Sequence, residues 1–357
     1  MAVARATSLG ESRPFRRLSP KLVGVVARRI ASFAYLAIGI TFVSFALTQL
    51  VPADPALATL GQDATPAAIH AFHVRYGLDR PLPVRYGLYL ERLVQGDLGT
   101  SQQTQNPVTH DLSVAIPATA ELALLSVLGA LLLGMSFGII AALFRDRPLD
   151  YVLRVLSLGG VSVPTFWIGL SALYLLYFKY GMFPGGGRLD PTTFPPPHLT
   201  GAYTIDSIAA RQWSTLWNAM HHLILPAAVL ALFNIGVLTR YTRSAILEII
   251  DQDYVRAARA RGLPERTVII EYVLRAAIPS IVTVFGLMFA NVLAGAVLVE
   301  NIFAWPGLGQ YGYRAATTLD LPAITGVSLF VATVYITINL TVDLLNSFID
   351  PRIRVSD

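Results

Sequence analysis

From Ile30 to Val51 the chain runs without a single charged side chain. About twenty apolar residues in a helix cross a hydrocarbon core of about 30 Å, and a helix satisfies its own backbone hydrogen bonds, as hydrocarbon requires. Five further stretches are comparably apolar, with at most one charged residue each: Pro117 to Phe144, Tyr151 to Phe178, which Pro164 breaks, His221 to about Leu238, Ile278 to about Val299, and about Ala323 to Phe348. Six such runs predict an all-α membrane protein. Composition agrees, since 54% of residues are apolar and 14% charged, where a soluble domain carries about 25% charged residues. A net charge of +5 could suit nucleic acid, but no interleaving of basic and aromatic residues accompanies it. The absence of cysteine excludes disulfides and thiolate metal sites.

Topology accounts for the positive charge. Residues 1–29 carry seven basic side chains against Glu11 alone, and read as a basic cytoplasmic tail. With both ends inside, the cytoplasmic segments hold seven, three, seven and two basic residues, the majority of the chain's 27. A basic start, an apolar run and Ala56-Leu57-Ala58 could also describe a cleaved signal peptide. The run is long for that, and Pro52 and Pro55 crowd the cleavage site, so residues 30–51 are read as the first transmembrane helix. Residues 52–116 form an extracytoplasmic segment of short helices and turns, in which His70 and His73 read as an exposed pair without a third metal ligand. Residues 179–218 form a second outer loop, rich in Gly and Pro and ending in Trp213 and Trp217, a residue type suited to the membrane interface. His221-His222 then opens the fourth span as an interfacial cap.

Between the fourth and fifth spans lies a charged island, DQDYVRAARARGLPERTVIIEYVLRAAIP, from Asp251 to Pro279. Each arginine or aspartate at a bilayer centre costs about 2.5–3.5 kcal/mol, so the island sits in water. Its order is a short helix, a stop and a second helix. Asp251 or Asp253 can cap, Gly262 can take the left-handed conformation after the last turn, and Pro264 opens the next segment. Tyr254, Val255 and Ala258 fall near one another at helical spacing, with Arg256 and Arg259 to the side, forming a small docking surface.

These residues carry a resemblance. Arg256-Ala257-Ala258, three residues, then Gly262, then Ile278-Pro279 resembles the "EAA" loop of membrane subunits of bacterial ABC importers. DYVRAARARGL is similar to the version in dipeptide and oligopeptide permeases, where Arg commonly replaces Glu. VPADPA, YGLDRPLPVRYGLYL, GDLGTS, SVPTFWIGL, ENIF, PGLG and the final DPRIR resemble, in order, the B-type subunit of those permeases. The resemblance implies a type I ABC importer permease fold, in which residues 117–350 form a five-helix core and residues 351–357 a cytoplasmic end. Its coupling helix would lie at residues 251–263, with Asp253, Tyr254, Val255, Arg256, Ala257, Ala258, Arg259 and Gly262 meeting an ATPase. It further implies a homologous second permease, two ATP-binding subunits or one fused ATPase, an extracytoplasmic peptide-binding protein, and a bacterial inner membrane.

Polar groups inside spans are costly and often functional. Asn291 in the fifth span and Asn339, Asp343 and Asn346 on one face of the sixth either border a translocation path or fix packing, Asp343 by pairing with a basic residue. Glu121, near the outer end of the second span, reads as a structural hydrogen-bonder. Gly134 and Gly138 form a GxxxG that permits close helix packing and is weak grounds for a dimer face. No GxxxxGK[ST] phosphate loop occurs, so ATP and Mg²⁺ belong to partner subunits and this chain needs no cofactor or metal of its own. An autonomous secondary transporter would show internal repeats with broken helices in matching halves, and an intramembrane enzyme would show a nucleophile with its base. Neither is present in the sequence. The cargo is peptide by resemblance, with glutathione, haem or nickel complexes as alternatives for the same machinery.

Overall fold

The computed structural model describes residues 20–50, 65–76 and 79–349. The first nineteen residues of the basic tail and the DPRIR ending lie outside these, as do the side chains of Asn291, Asp343 and Asn346. Among the described residues there is no β-strand; Thr100 and Pro107 form one isolated antiparallel bridge. The helices are α1 (Pro20–Leu50), α2 (Pro66–Tyr76), α3 (Leu82–Val94), α4 (Val108–Leu143), α5 (Pro148–Ser162), α6 (Thr165–Ala172), α7 (Tyr203–Ala209), α8 (Trp213–Ile250), α9 (Asp253–Ala260), α10 (Glu265–Thr267), α11 (Arg275–Ile302), α12 (Leu308–Thr318) and α13 (Leu321–Ile349). Leu173–Lys179 extends α6, and Val268–Leu274 joins α10 to α11, each as a π-helical segment.

Helices occupy all six expected spans. Three of them, α4, α8 and residues Leu321–Val342 of α13, are both long and apolar enough to cross a membrane, and α5 with α6 makes a fourth if counted as one broken span. The other two expected spans coincide with α1, of 31 residues, and α11, of 28 residues. Two helices outrun their apolar cores. α4 starts nine residues before Pro117, at Val108, and α8 continues past Leu238 through Arg240 and Arg243 to Ile250.

The third span is two legs, not one rod. α5 and α6 diverge by 99° because Val163 is extended and Pro164, at φ −58° and ψ 135°, supplies no N–H. At 15 residues, or about 22 Å at 1.5 Å per residue, α5 is shorter than the hydrocarbon core.

The most extensive helix pairing joins α4 to α8. Gly134 and Gly138 face α8 so closely that a Cβ at Gly138 would stand 2.5 Å from Thr242 Cβ and 2.8 Å from the Thr239 carbonyl oxygen, and one at Gly134 would stand 2.9 Å from Leu238 Cβ. Thr239 Oγ1 donates to the Gly134 carbonyl at 3.3 Å. The GxxxG is therefore spent inside the chain and offers no dimer face. Gly236 of α8 lies in the same way against the Ser157 carbonyl of α5. Around this seam the main core gathers Leu122, Val127, Leu230, Leu238, Ile246, Val268, Met288 and Val292. A second, smaller core of Val108, Leu112, Leu308, Ala315 and Ala323 joins the start of α4 to α12 and α13. α1 packs on α13, and α3 lies across α1, its Tyr86 ring 5.8 Å from Phe42 and 5.3 Å from Phe45.

Because overpacking costs about 1–3 kcal/mol, Gly138→Val should lower the melting temperature of the detergent-purified chain. Gly159→Ala, where nothing lies within 4 Å of the new carbon, should leave it unchanged. Equal melting of both variants would refute the seam.

Candidate functional site

The charged island folds as a short helix closed by glycine. α9 begins after Gln252, whose side chain makes no capping bond; Asp253 is the first helical residue, so neither Asp251 nor Asp253 is the cap. Asp253 instead places its charge in the first turn, where the helix dipole favours it, and pairs with Arg256. At the other end the Arg261 N–H donates to the Ala257 carbonyl at 3.1 Å and the Gly262 N–H to the Arg259 carbonyl at 2.9 Å. Gly262 stands at φ +77°, a conformation costly to any residue with a Cβ. Beyond it, Arg259 reaches Glu265 through Nε at 3.2 Å and Nη2 at 2.7 Å. That guanidinium holds the Glu265 carboxyl below its usual range.

The faces of α9 are not those expected. Val255 and Ala258 are buried within this chain, at 0% and 3% exposure, in the core with Ile246, Val268 and Val273. They seat the helix and are closed to a partner. Asp253, Tyr254, Arg256, Ala257 and Arg261 face outward, so the exposed face carries a tyrosine among arginines around Ala257.

At the end of the bundle away from α9, the turn between α11 and α12 is fastened to α4 by a buried carboxylate. Glu300, at 0% exposure, accepts from Thr119 Oγ1 at 2.6 Å and from the Gln310 N–H at 2.9 Å. Thr119 accepts in turn from the Leu308 N–H at 2.7 Å. The carboxyl group thus sits at the amino end of α12, where free N–H groups converge. Trp305 fills the space beside it and donates Nε1–H to the Ala118 carbonyl at 2.9 Å.

A second fastening holds the 179–212 loop. Arg188 and Glu121 form a buried ion pair, Nη2 to Oε2 2.7 Å, each side chain 5% exposed. Arg188 also donates to the Gly201 carbonyl at 2.9 Å and lies 3.6 Å over the Tyr203 ring. Glu121 accepts from the Thr204 N–H at 2.6 Å. Within the loop, burial opposes ionisation of Asp206, but the Thr200 hydroxyl and the N–H groups of Thr200, Gly201 and Leu199 outweigh it and hold its carboxyl below the usual range. His222 is buried and donates Nδ1–H to the Asn218 carbonyl at 2.9 Å, with Nε2 3.5 Å from Asp190. Of the other histidines, His73 stands 3.9 Å from Asp79, and among the described residues no three His, Asp or Glu side chains could hold a metal ion.

The residues considered for a path are less informative. Asn339 donates to the Tyr335 carbonyl at 3.0 Å, and Thr333, Thr337 and Thr341 on the same helix each bond the carbonyl four residues back. Such back-bonding satisfies a hydroxyl or amide locally. Sequence reasoning missed Arg188, Thr119 and the role of Glu300, whose partners lie 67 and 181 residues away along the chain. ENIF and PGLG marked the turn without showing what it binds.

The family described as "Binding-protein-dependent transport system inner membrane component" matches residues 134–355, and its N-terminal companion matches residues 22–123. The chain belongs to this family. It is 42% identical over 330 residues to the probable D,D-dipeptide transport system permease protein DdpB of Escherichia coli (strain K12), covering 92% of this chain and 97% of that one. It is 38% identical to the dipeptide transport system permease protein DppB of Alkalihalophilus pseudofirmus, covering 93% and 100%, and 40% identical to the di/tripeptide permease DppB of Pseudomonas aeruginosa, covering 93% and 99%. A solved chain of the inward-facing MetNI methionine ABC transporter superposes with a TM-score of 0.50 at 15% identity, over 67% of this chain and 96% of that one. That likeness concerns the fold, which is the all-helical one of type I ABC importer permeases.

Removing one partner of a buried ion pair costs about 3–5 kcal/mol, and replacing both costs far less. Arg188→Met or Glu121→Gln alone should therefore lower the melting temperature markedly, and the double variant should recover most of the loss. For Asp206, the folded pKa is depressed, so its stabilisation is complete above the ordinary aspartate value of about 3.9 and is lost as pH falls through the folded value. Protection of the amides in residues 198–206, taken relative to the intrinsic exchange rate at each pH, should fall as the pH is lowered below about 4, and Asp206→Asn should remove that dependence.

Proposed function

We propose that this chain is the membrane-spanning permease subunit of an ATP-driven importer of di- or oligopeptides. It forms the translocation path with a homologous permease. An extracytoplasmic binding protein delivers the peptide to the outer loops, and ATP and Mg²⁺ act on two ATPase subunits or one fused pair. The chain lies in a bacterial inner membrane with both termini in the cytoplasm. The observation that carries this reading is α9. It is a rigid eight-residue peg, held to its own chain by Val255 and Ala258 and presenting Tyr254, Arg256 and Ala257 outward, in a chain whose relatives are named dipeptide permeases.

Transport requires that ATP and peptide each bind two conformations with different free energies, because equal binding shifts nothing. The peg suits that task. Its seat is buried, its stop is fixed by Gly262, and its free face joins aromatic surface to positive charge, a combination enriched at protein interfaces. Asn291, Asn339 and Asp343 are proposed to border the path, since polar groups at membrane depth tend to face the bundle interior.

Tyr254→Ala and Ala257→Glu alter exposed positions only. In vesicles holding the full complex, each should insert at the normal level and lose about tenfold or more of peptide uptake, the equivalent of about 1.4 kcal/mol. Ala258→Glu would instead place a charge in a buried seat and destabilise the chain. Normal uptake by both exposed-face variants would refute the assignment of α9 as the coupling helix.

A further inference from the structure

The first turn of α5, directly after the turn that joins it to α4, holds a carboxylate that serves neither of the two fastenings above. Asp150 is 0% exposed. Arg243 of α8 grips it with both arms, Nε to Oδ1 and Nη2 to Oδ2, each at 2.8 Å. Arg154 stands 3.4 Å from Oδ1. The Asp146 N–H donates to Oδ2 at 3.1 Å, with Asp146 itself in the left-handed region at φ +62°, strained for a residue with a Cβ. One turn thus spends a buried charge and an uncommon backbone conformation on a single point of α8.

The same turn touches α8 again at its end. Arg145 Nη1 lies 3.6 Å from Asp251, the residue that follows the helix. Eight residues separate Arg243 from Asp251, about 12 Å along the axis. α9 begins two residues later, at Asp253. Arg243 also adjoins Thr242, on which Gly138 packs, so the glycine seam between α4 and α8 continues directly into this grip. Buried pairs contribute little to stability beyond what apolar residues would give, and their better-supported role is to specify one arrangement.

We propose that the α4–α5 turn is a clasp that sets the direction in which α8 delivers the coupling peg, with Asp150 and Arg243 as positioning residues and Arg145 with Asp251 as an outer tie. This rests on the reading of α9 as the coupling helix. The clasp acts through geometry and touches neither cargo nor nucleotide. Arg243→Lys is the informative conservative change, since lysine keeps the charge and loses the two-armed grip.

The chain has no cysteine, so spin labels at Arg147→Cys and Ala260→Cys, both exposed positions outside the proposed docking face, report one distance between turn and peg. In the full complex in vesicles, the otherwise unchanged chain should give one narrow distance distribution. Asp150→Asn and Arg243→Lys should each broaden or split it, and peptide taken up per ATP hydrolysed should fall about tenfold, within the usual range of coupling between sites. If Asp150→Asn does not insert, Arg243→Lys carries the test alone. Distances as narrow in the variants as in the parent would overturn the clasp. Broadened distances with an unchanged peptide-to-ATP ratio would overturn it equally, leaving the pair a packing element. Failure of the parent complex to take up peptide with ATP, with distances that still broaden in the variants, would count against the importer reading and leave the clasp's hold on the peg standing.

Discussion

The approach of α4 to α8 is the contact on which the rest of the structure depends. In a membrane, lipid tails are as apolar as leucine, so helices associate through close packing and interhelical hydrogen bonds. Gly134 and Gly138 bring the two backbones near enough for Thr239 to bond across to the Gly134 carbonyl. Gly236 does the same for α5 on another face of α8. One helix therefore carries two close neighbours. The other elements take their places from it: α11 packs on α8, and α12 and α13 pack on α11.

Among the described residues, buried charged groups lie at the ends of this bundle. At one end Glu300 and Glu121 are buried, and each accepts from donors on other elements. A buried carboxylate without partners would cost more than the bundle could return, so the α11–α12 turn and the 179–212 loop are held where their donors are needed. At the other end Asp150 is buried in the same way. The pairs nearer the peg, Arg256 with Asp253 and Arg259 with Glu265, are exposed or partly so and contribute little to stability. The peg therefore depends for its position on Val255, Ala258 and the connection to α8.

The sequence made legible what depends on neighbours along the chain. Apolar runs located the helices, and Gly262 with Pro264 located the end of the peg and the start of the next segment. Periodicity alone could not tell which face of α9 is covered, because Tyr254, Val255 and Ala258 are all plausible on an interface and only their surroundings separate them. Pro164 announced a break, but the 99° size of the bend is not written in the local sequence. Partners far apart in the chain, such as Glu121 with Arg188 or Asp150 with Arg243, leave no local signal. A lone acid in or beside an apolar span is the nearest to one.

The length of α8 gives these pieces a common axis. Its 38 residues span about 57 Å at 1.5 Å per residue, more than a whole bilayer of about 40–45 Å with its headgroups. Near its start His222 binds the Asn218 carbonyl one turn back, and the Asn218 side chain engages Asp190 of the long loop. At its other end the helix stops beside Arg145 and passes directly into α9. Pro226 lies between these attachments and lacks the N–H of a continuous ladder. The 179–212 loop and the peg are thus fixed to opposite ends of one helix, and a change in the tilt of α8 must move both.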